Sequence, residues 1–343
     1  MYILGIESSC DETAASVVKI SDKTGKAQTL SNIISSQIAI HQKYGGVIPE
    51  VAAREHVFNV LPVVDEALKT AGLSHKKIDA IAVTKGPGLI TSLITGTETA
   101  RTLAYAWDKP LIPVNHIAGH IYSDLLELKT NVKFPLVVLT VSGGHTNLVL
   151  MTSHNNFKII GETRDDAAGE AYDKGAKMLE LGYPGGPLIS QQAKLFADSG
   201  QKCTISLPRP MLNDGLDFSF SGLKTALLYQ IQKDPNWKNR ISEYCFAYQA
   251  SIIEILSKKA LKAAKKYGAQ TLMLSGGVSA NSELREYLAA LMQKELPLVT
   301  LVMPKLAYTT DNAAMIALAG YYAWQGGAKT SWQKLKVDVN FSL

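Results

Sequence analysis

The sequence predicts an α/β protein built in two lobes. Strand-like apolar runs alternate with helix-like runs along the chain. Its 343 residues are more than one hydrophobic core comfortably serves. A strand, polar turn and strand open the chain, and the same unit opens again near residue 135, which hints at a duplicated architecture. The lobes are expected at 1–133 and 134–343, with the tail from about residue 330 packing back on the first lobe.

Tyr2–Ile6 reads as a strand, ESSCDET as a turn and Ala14–Ile20 as the returning strand. Between Pro49 and Leu68, the apolar residues Val51, Ala52, Val57, Val60, Leu61, Val64 and Leu68 recur at helical spacing, and Pro62 is expected to break that helix in two. Ile78–Thr84 is a strand ending in KGPGL, Thr97–Trp107 a helix and Leu111–Val114 a short strand. VNHIAGH follows, so His116 lies just past a strand end, where α/β folds place their ligands. In the second half Pro135–Val141 is a strand, SGGHT a turn and Asn147–Met151 the returning strand. Ala167–Leu181 is a helix closed by Gly182, and Ile241–Tyr267 is one closed by Gly268. Thr271–Leu274 is a strand running into SGGVSAN, and Thr310–Gln325 is an apolar helix closed by Gly326 and Gly327.

The apolar fraction of 46% and charged fraction of 19% fit a soluble globular enzyme. A net charge of +5 is compatible with a polyanionic partner without requiring one. Cys10, Cys203 and Cys245 form no CxxC pair, which argues against a disulfide framework or cysteine zinc site and for a reducing compartment. The N-terminus lacks a basic signal region or an Arg-rich transit segment, and no apolar run reaches about 18 residues. A cytoplasmic protein with no membrane span is therefore expected.

His116 and His120 stand four apart, which puts both imidazoles on one helix face. Such a pair either holds a metal or is two ordinary histidines. Asp311, near the start of the last helix, either suits the helix dipole or completes a His, His, carboxylate set fit for iron(II) or another divalent ion. KGPGL, SGGHT and SGGVSAN are strand-end turns whose glycines admit a phosphate, though none matches GxxxxGK[ST] or GxGxxG. Two SGG turns directly after strands favour a nucleotide or phosphoanhydride ligand over plain turns. Asp165 and Asp166 read as helix caps, and Asp173 as either a solvated charge or a functional carboxylate. Cys10 reads as a packing residue, because Asp11 and Glu12 beside it raise a thiol pKa. Lys258, Lys259, Lys262, Lys265 and Lys266 gather along one helix face, either a solvated face or a stripe that tracks a nucleic-acid backbone.

Taken in order, ILGIESSCDET, YGGVIPEVAAREH, GPGL, VNHIAGH, VSGGHT, DDAAGEAYDKGAK, YPGGP, FSFSGLKT, SGGVSAN and TDNAAMIALAG resemble the signatures of the tRNA adenosine threonylcarbamoyltransferases, in the form of the bacterial and mitochondrial branch. Ala118 departs from relatives that often carry Glu between the histidines. The resemblance implies an actin-like, Hsp70-like two-lobed ATPase fold. It implies one divalent metal, Fe(2+) or else Zn(2+), on His116, His120 and Asp311. It places substrate contacts on Thr140, Val141, Ser142, Gly143, Gly144, Asp173, Gly186 and Asn281. The implied reaction moves a threonylcarbamoyl group from threonylcarbamoyl-adenylate to the exocyclic amine of the adenosine 3′ of the anticodon, in tRNAs reading ANN codons, and releases AMP. A carbamoyl–phosphate mixed anhydride is already activated, so positioning and charge stabilisation suffice. Asp11 or Glu12 is the candidate acceptor of the amine proton. Implied partners are tRNA, a smaller actin-like paralogue subunit docking on the 49–68 helices, and a P-loop ATPase subunit. Rival readings are a metalloendopeptidase and a non-catalytic ATP-binding switch module. The first lacks the HExxH glutamate, since Ile117, Ala118 and Gly119 lie between the histidines.

Overall fold

The computed structural model describes residues 1–128 and 132–343. It divides into two units, Met1–Asn131 with Pro304–Leu343, and Val132–Met303. The first begins with three strands, β1 (Tyr2–Glu7), β2 (Glu12–Ile20) and β3 (Ala27–Ser36). Then come α1 (Ile38–His41), α2 (Pro49–Thr70), β4 (Ala80–Gly86), α3 (Ile90–Trp107), β5 (Leu111–Asn115) and α4 (His116–Ser123). The sheet order is β3-β2-β1-β4-β5. The first three strands pair antiparallel, and β4 and β5 extend the sheet in parallel from β1. The parallel strands are buried apolar runs, as strands covered on both faces should be. Leu4, Ile6, Val17, Ile81, Val83 and Ala100 sit together in this unit's core.

The second unit repeats that plan. Its strands are β6 (Leu136–Val141), β7 (Thr146–Ser153), β8 (Asn156–Glu162), β9 (Thr271–Ser275) and β10 (Thr300–Val302), in the order β10-β9-β6-β7-β8. Three strands again pair antiparallel and two extend in parallel. Between β8 and β9 lie α5 (Ala168–Met178), α6 (Gly185–Asp198), α7 (Ser221–Lys233) and α8 (Ile241–Lys266); α9 (Ser282–Glu295) follows β9. The duplication hinted at by the opening strand–turn–strand units is thus a duplication of sheet topology.

The chain re-enters the first unit at Pro304, well before the expected position near 330, and forms α10 (Ala313–Gln325) there. The physical reason is apolar. Residues Ala313–Tyr321 are all buried, so the helix needs a sheet face. Gly5 of β1 leaves no room for a Cβ beneath Ala313, and a Cβ on Gly320 would lie 2.5 Å from Ala82 of β4. These glycines let α10 sit directly on the sheet. A second expectation also fails: α2 is one helix, not two, with Pro62 inside it. Phe58, whose carbonyl loses its donor, lies on the exposed face, where water can replace it. Among the described residues no helix is long and apolar enough to cross a membrane.

Candidate metal centre and anion pocket

In the first unit, α4 starts where β5 stops. Asn115 caps it, its side-chain oxygen accepting from the N–H groups of Ile117 at 2.8 Å and Ala118 at 3.1 Å. That cap fixes His116 in the first turn and His120 one turn on, with ring centroids 4.7 Å apart. The approach of α10 to α4 is equally tight. A Cβ on Gly119 would stand 2.8 Å from Ile316 Cδ1. Asn312, not Asp311, caps α10, accepting from Met315 N–H at 3.1 Å. The sequence expectation of Asp311 in the first helical turn is corrected accordingly, and the Asp311 carboxylate faces the histidines instead. Its Oδ1 is 3.1 Å from His120 Nε2 and 3.6 Å from His116 Nε2.

Donor atoms of His116, His120 and Asp311 lie within 4.8 Å of one another. His120 tests whether a cation fits. Both its ring nitrogens are buried and neither has a hydrogen-bond partner among the described residues, although Nε2 is close to Asp311. The approach is therefore near without hydrogen-bond alignment, as when donors aim at a common point. Two imidazoles and one carboxylate suit a divalent transition metal and leave coordination positions open.

The ESSCDET turn packs against this centre. Cys10 O accepts from His56 Nε2 at 2.9 Å and from the Ser92 hydroxyl at 3.2 Å, and Asp11 O accepts from Gln37 N–H at 3.1 Å. Because Nε2 of His56 donates, its Nδ1 accepts from the Thr13 hydroxyl at 2.7 Å, and burial holds this imidazole below its usual pKa. Burial, then Asp311 and Asp11, push the Glu12 carboxyl up to about 10. Burial opposes protonation of His116, but Asp311 and Glu7 outweigh it and raise the ring to about 9. The Cys10 thiol is pushed far up by burial and then by Asp11 and Asp311, as its packing role requires. A bound cation would reverse the carboxylate repulsion.

The second unit holds a cavity of about 410 Å³. Of the eight expected substrate residues it brings together Gly143, Asp173, Gly186 and Asn281. Thr140 and Val141 are fully buried in β6, and Ser142 and Gly144 belong to the adjoining turn. Three helix starts line the cavity: Gly169 of α5, Gly186 of α6 and Ser282 of α9. Converging N-termini favour an anion. Added Cβ atoms on Gly143, Gly144, Gly186 and Gly277 would meet nothing within 4 Å, so these glycines leave room that the protein itself does not fill. Gly276 is different: at φ +87° it crosses close over the Val141 carbonyl, a place for glycine alone. Asp173 Oδ1 accepts from Gly185 N–H at 2.7 Å. Asn281 is more engaged than its sequence suggested. Its oxygen caps α9 through Leu284 N–H at 3.0 Å, and its amide donates to buried Gln249 at 2.8 Å.

Sequence reading missed Glu7, His56 and Gln249. Glu7 carried one signal, a charge ending the otherwise apolar strand YILGIE. Two other expectations change. Asp165 caps α7 rather than α5, accepting from Phe220 N–H at 2.7 Å and Ser221 N–H at 3.2 Å, and Asp166 pairs with Lys174 and Lys224. The lysine stripe is largely spoken for: Lys259 is buried and donates to Asp214 O, Lys262 donates to Asn213 O, and Lys258 and Lys265 pair with Glu254 and Glu295.

Two units of one strand order, one bearing a His–His–Asp centre and the other a glycine-lined anion pocket, define an actin-like ATPase-fold protein. The likeness in fold extends to solved structures. HypF from T. kodakarensis superposes with a TM-score of 0.62 at 15% identity, over 95% of this chain and 48% of that one. A ROK family glucokinase from Streptomyces griseus, solved with glucose and AMPPNP, gives 0.51 at 13% identity over 95% of this chain and 100% of that one. The profile of the family described as tRNA N6-adenosine threonylcarbamoyltransferase matches residues 28–318. Relatives of that name are 47% identical in Thermomicrobium roseum and 49% identical in Geobacillus kaustophilus, each over 100% of this chain and 96% of the relative. The chain belongs to the tRNA N6-adenosine threonylcarbamoyltransferase family.

Proposed function

We propose that this chain transfers a threonylcarbamoyl group from threonylcarbamoyl-adenylate to the exocyclic amine of the adenosine 3′ of the anticodon in tRNA. The observation that carries this reading is the end-to-end relationship to transferases of that name. The amine nitrogen attacks the carbamoyl carbon, the bond from that carbon to the phosphate oxygen breaks, AMP leaves and the amine loses one proton. The pocket of the second unit takes the adenylate: the helix starts and open glycines receive the phosphate, and Asp173 and Asn281 stand where ribose or base would be held. In the first unit, His116, His120 and Asp311 hold a divalent metal, iron(II) in preference to zinc. When bound, that ion polarises a carbonyl and orients the threonyl part. Asp11 and Glu12 are the candidate acceptors of the amine proton; with its carboxyl raised to about 10, Glu12 is protonated at neutral pH and would serve as a base only where a bound cation offsets the repulsion from Asp311 and Asp11.

The peptidase reading fares worse, because Ile117, at the position of the HExxH glutamate, is buried and apolar. A switch module without chemistry would have no need of the triad. Radiolabelled threonine transferred to tRNA in a reconstituted reaction tests the proposal; nucleotide binding without any labelled tRNA would refute it.

For the partners, α2 carries the argument. Val57, Phe58 and Leu61 are 63%, 73% and 58% exposed on one stretch of its outer face. A smaller actin-like paralogue docks there, with a P-loop ATPase subunit joining the assembly. Val57→Asp with Leu61→Asp should weaken co-purification of the paralogue about a hundredfold and leave the circular dichroism of the chain unchanged. Normal co-purification of the double variant would remove α2 from the interface.

A further inference from the structure

Glu7 ends β1 and is fully buried. It is not one of the three residues whose donor atoms cluster, yet it touches one of them. Its Oε1 accepts from the Ser9 N–H at 2.6 Å. Its Oε2 accepts from the Thr84 hydroxyl at 2.6 Å and lies 3.1 Å from His116 Nδ1. The Ser9 hydroxyl is a further 3.1 Å neighbour of the same nitrogen. A buried carboxylate is costly unless paired and hydrogen-bonded, and this one is held from the turn after β1, from β4 and from α4 at once. So firm a placement fixes the group that meets it. With Nδ1 donating its proton to this anion, the His116 ring turns Nε2 towards His120 and Asp311, as the nitrogen that a cation would take in place of a proton. His120 has no such backing: neither of its ring nitrogens has a hydrogen-bond partner among the described residues.

We infer that Glu7 is a positioning residue that sets the tautomer and orientation of His116, making it the pre-organised ligand of the centre, while His120 is placed by helix packing and its approach to Asp311 without a hydrogen-bonded partner behind its ring. This rests on the proposed metal centre. A carboxylate behind a ligating histidine also strengthens it as a donor, and removing such a partner costs ten- to a hundredfold in metal affinity. Glu7→Gln keeps the size and one acceptor oxygen but removes the charge. Thr84→Val removes one of the hydrogen bonds that hold the carboxylate.

Titration of the full-length chain with Co²⁺ tests the inference, reading both affinity and the visible ligand-field spectrum. Glu7→Gln should bind about ten- to a hundredfold more weakly, with a changed spectrum, and Thr84→Val should shift less in the same direction. His120→Ala is the companion variant that keeps the two readings apart. If His120→Ala binds Co²⁺ like the parent, the metal centre itself is wrong. If His120→Ala loses Co²⁺ while Glu7→Gln and Thr84→Val keep the parent's affinity and spectrum, the role of Glu7 is overturned. Should Glu7→Gln fail to fold, Thr84→Val alone decides by the same criterion.

Discussion

The turn after β1 and the turn after β6 hold the same place in sheets of the same order, yet they work by different chemistry. In ESSCDET the side chains do the work. Glu7, Ser8, Ser9, Asp11, Glu12 and Thr13 are all buried, and the carbonyls of Ser9, Cys10 and Asp11 are tied by Leu89, His56, Ser92 and Gln37. In SGGHT, Gly143 and Gly144 are exposed and offer backbone alone, with open space where a side chain would stand. One topology thus gives a rigid acidic turn beside a candidate cation centre, and a bare turn beside an anion pocket. Each carries the charge pattern opposite to its proposed ligand. The position in the fold sets where a ligand can lie; the residues set its sign.

The sharpest way to break this contrast is to put a side chain on the bare turn. Gly143→Leu should abolish adenylate binding, weakening it by a hundredfold or more, because the side chain enters the cavity. It should change stability by only about 0.5 kcal/mol, since a Cβ at this exposed position meets no protein atom within 4 Å. Isothermal titration with an AMP analogue and a thermal melt read the two effects, and parental affinity would mean that the pocket is not the adenylate site. Gly169→Ala gives the opposite pattern: its Cβ would stand 2.6 Å from the Ser142 carbonyl oxygen, so folding suffers first.

On the acidic turn, Glu12→Gln should slow transfer about 10²- to 10⁴-fold, the range for a lost general base. Adenylate affinity should be unchanged. Single-turnover transfer compared with Asp11→Asn assigns the base: if Glu12→Gln keeps its rate and Asp11→Asn loses it, the role passes to Asp11.

The smallest effect lies away from both turns. Glu243 accepts from Thr204 N–H at 2.6 Å, from the Thr204 hydroxyl at 2.8 Å and from Arg240 at 3.0 Å. Although burial works the other way, these contacts hold its carboxyl down to about 2 from the usual 4.5. A depressed carboxyl contributes stability that is complete above about 4.5 and is lost as pH falls towards about 2. Glu243→Gln should therefore lower the melting temperature at pH 7 by about 3 °C, and the gap to the parent should close as pH falls through that window. A gap independent of pH would assign the effect to packing instead of charge.

How much of this was legible in the sequence follows from burial. β1, β5, β6 and β9 are buried apolar runs and were readable as strands. β3 was not: AQTLSNIISS pairs along one edge only and keeps polar residues half-exposed. β10, at three residues, is too short to show a period. The opening GGP of α6 has no apolar period to mark it as helix, and Pro184 and the glycines start the helix over the pocket. At the centre, His116 and His120 announce themselves because one helix carries both. Asp311 comes from across the chain, and its meeting with them depends on Gly5, Gly119 and Gly320 letting α10 close in. Glu7, His56 and Gln249 gain their roles wholly from tertiary contacts, which no local pattern encodes.

The most direct test of the account is His120→Ala, with metal content and tRNA modification measured on the same preparation. His120 has no hydrogen bond through its ring to lose, so the fold should survive its removal. The account predicts that bound iron or zinc falls to background and that transfer of labelled threonine drops about a thousandfold or more, equivalent to roughly 4 kcal/mol, with circular dichroism unchanged. Full metal occupancy in that variant, or transfer at the parental rate without metal, would contradict it.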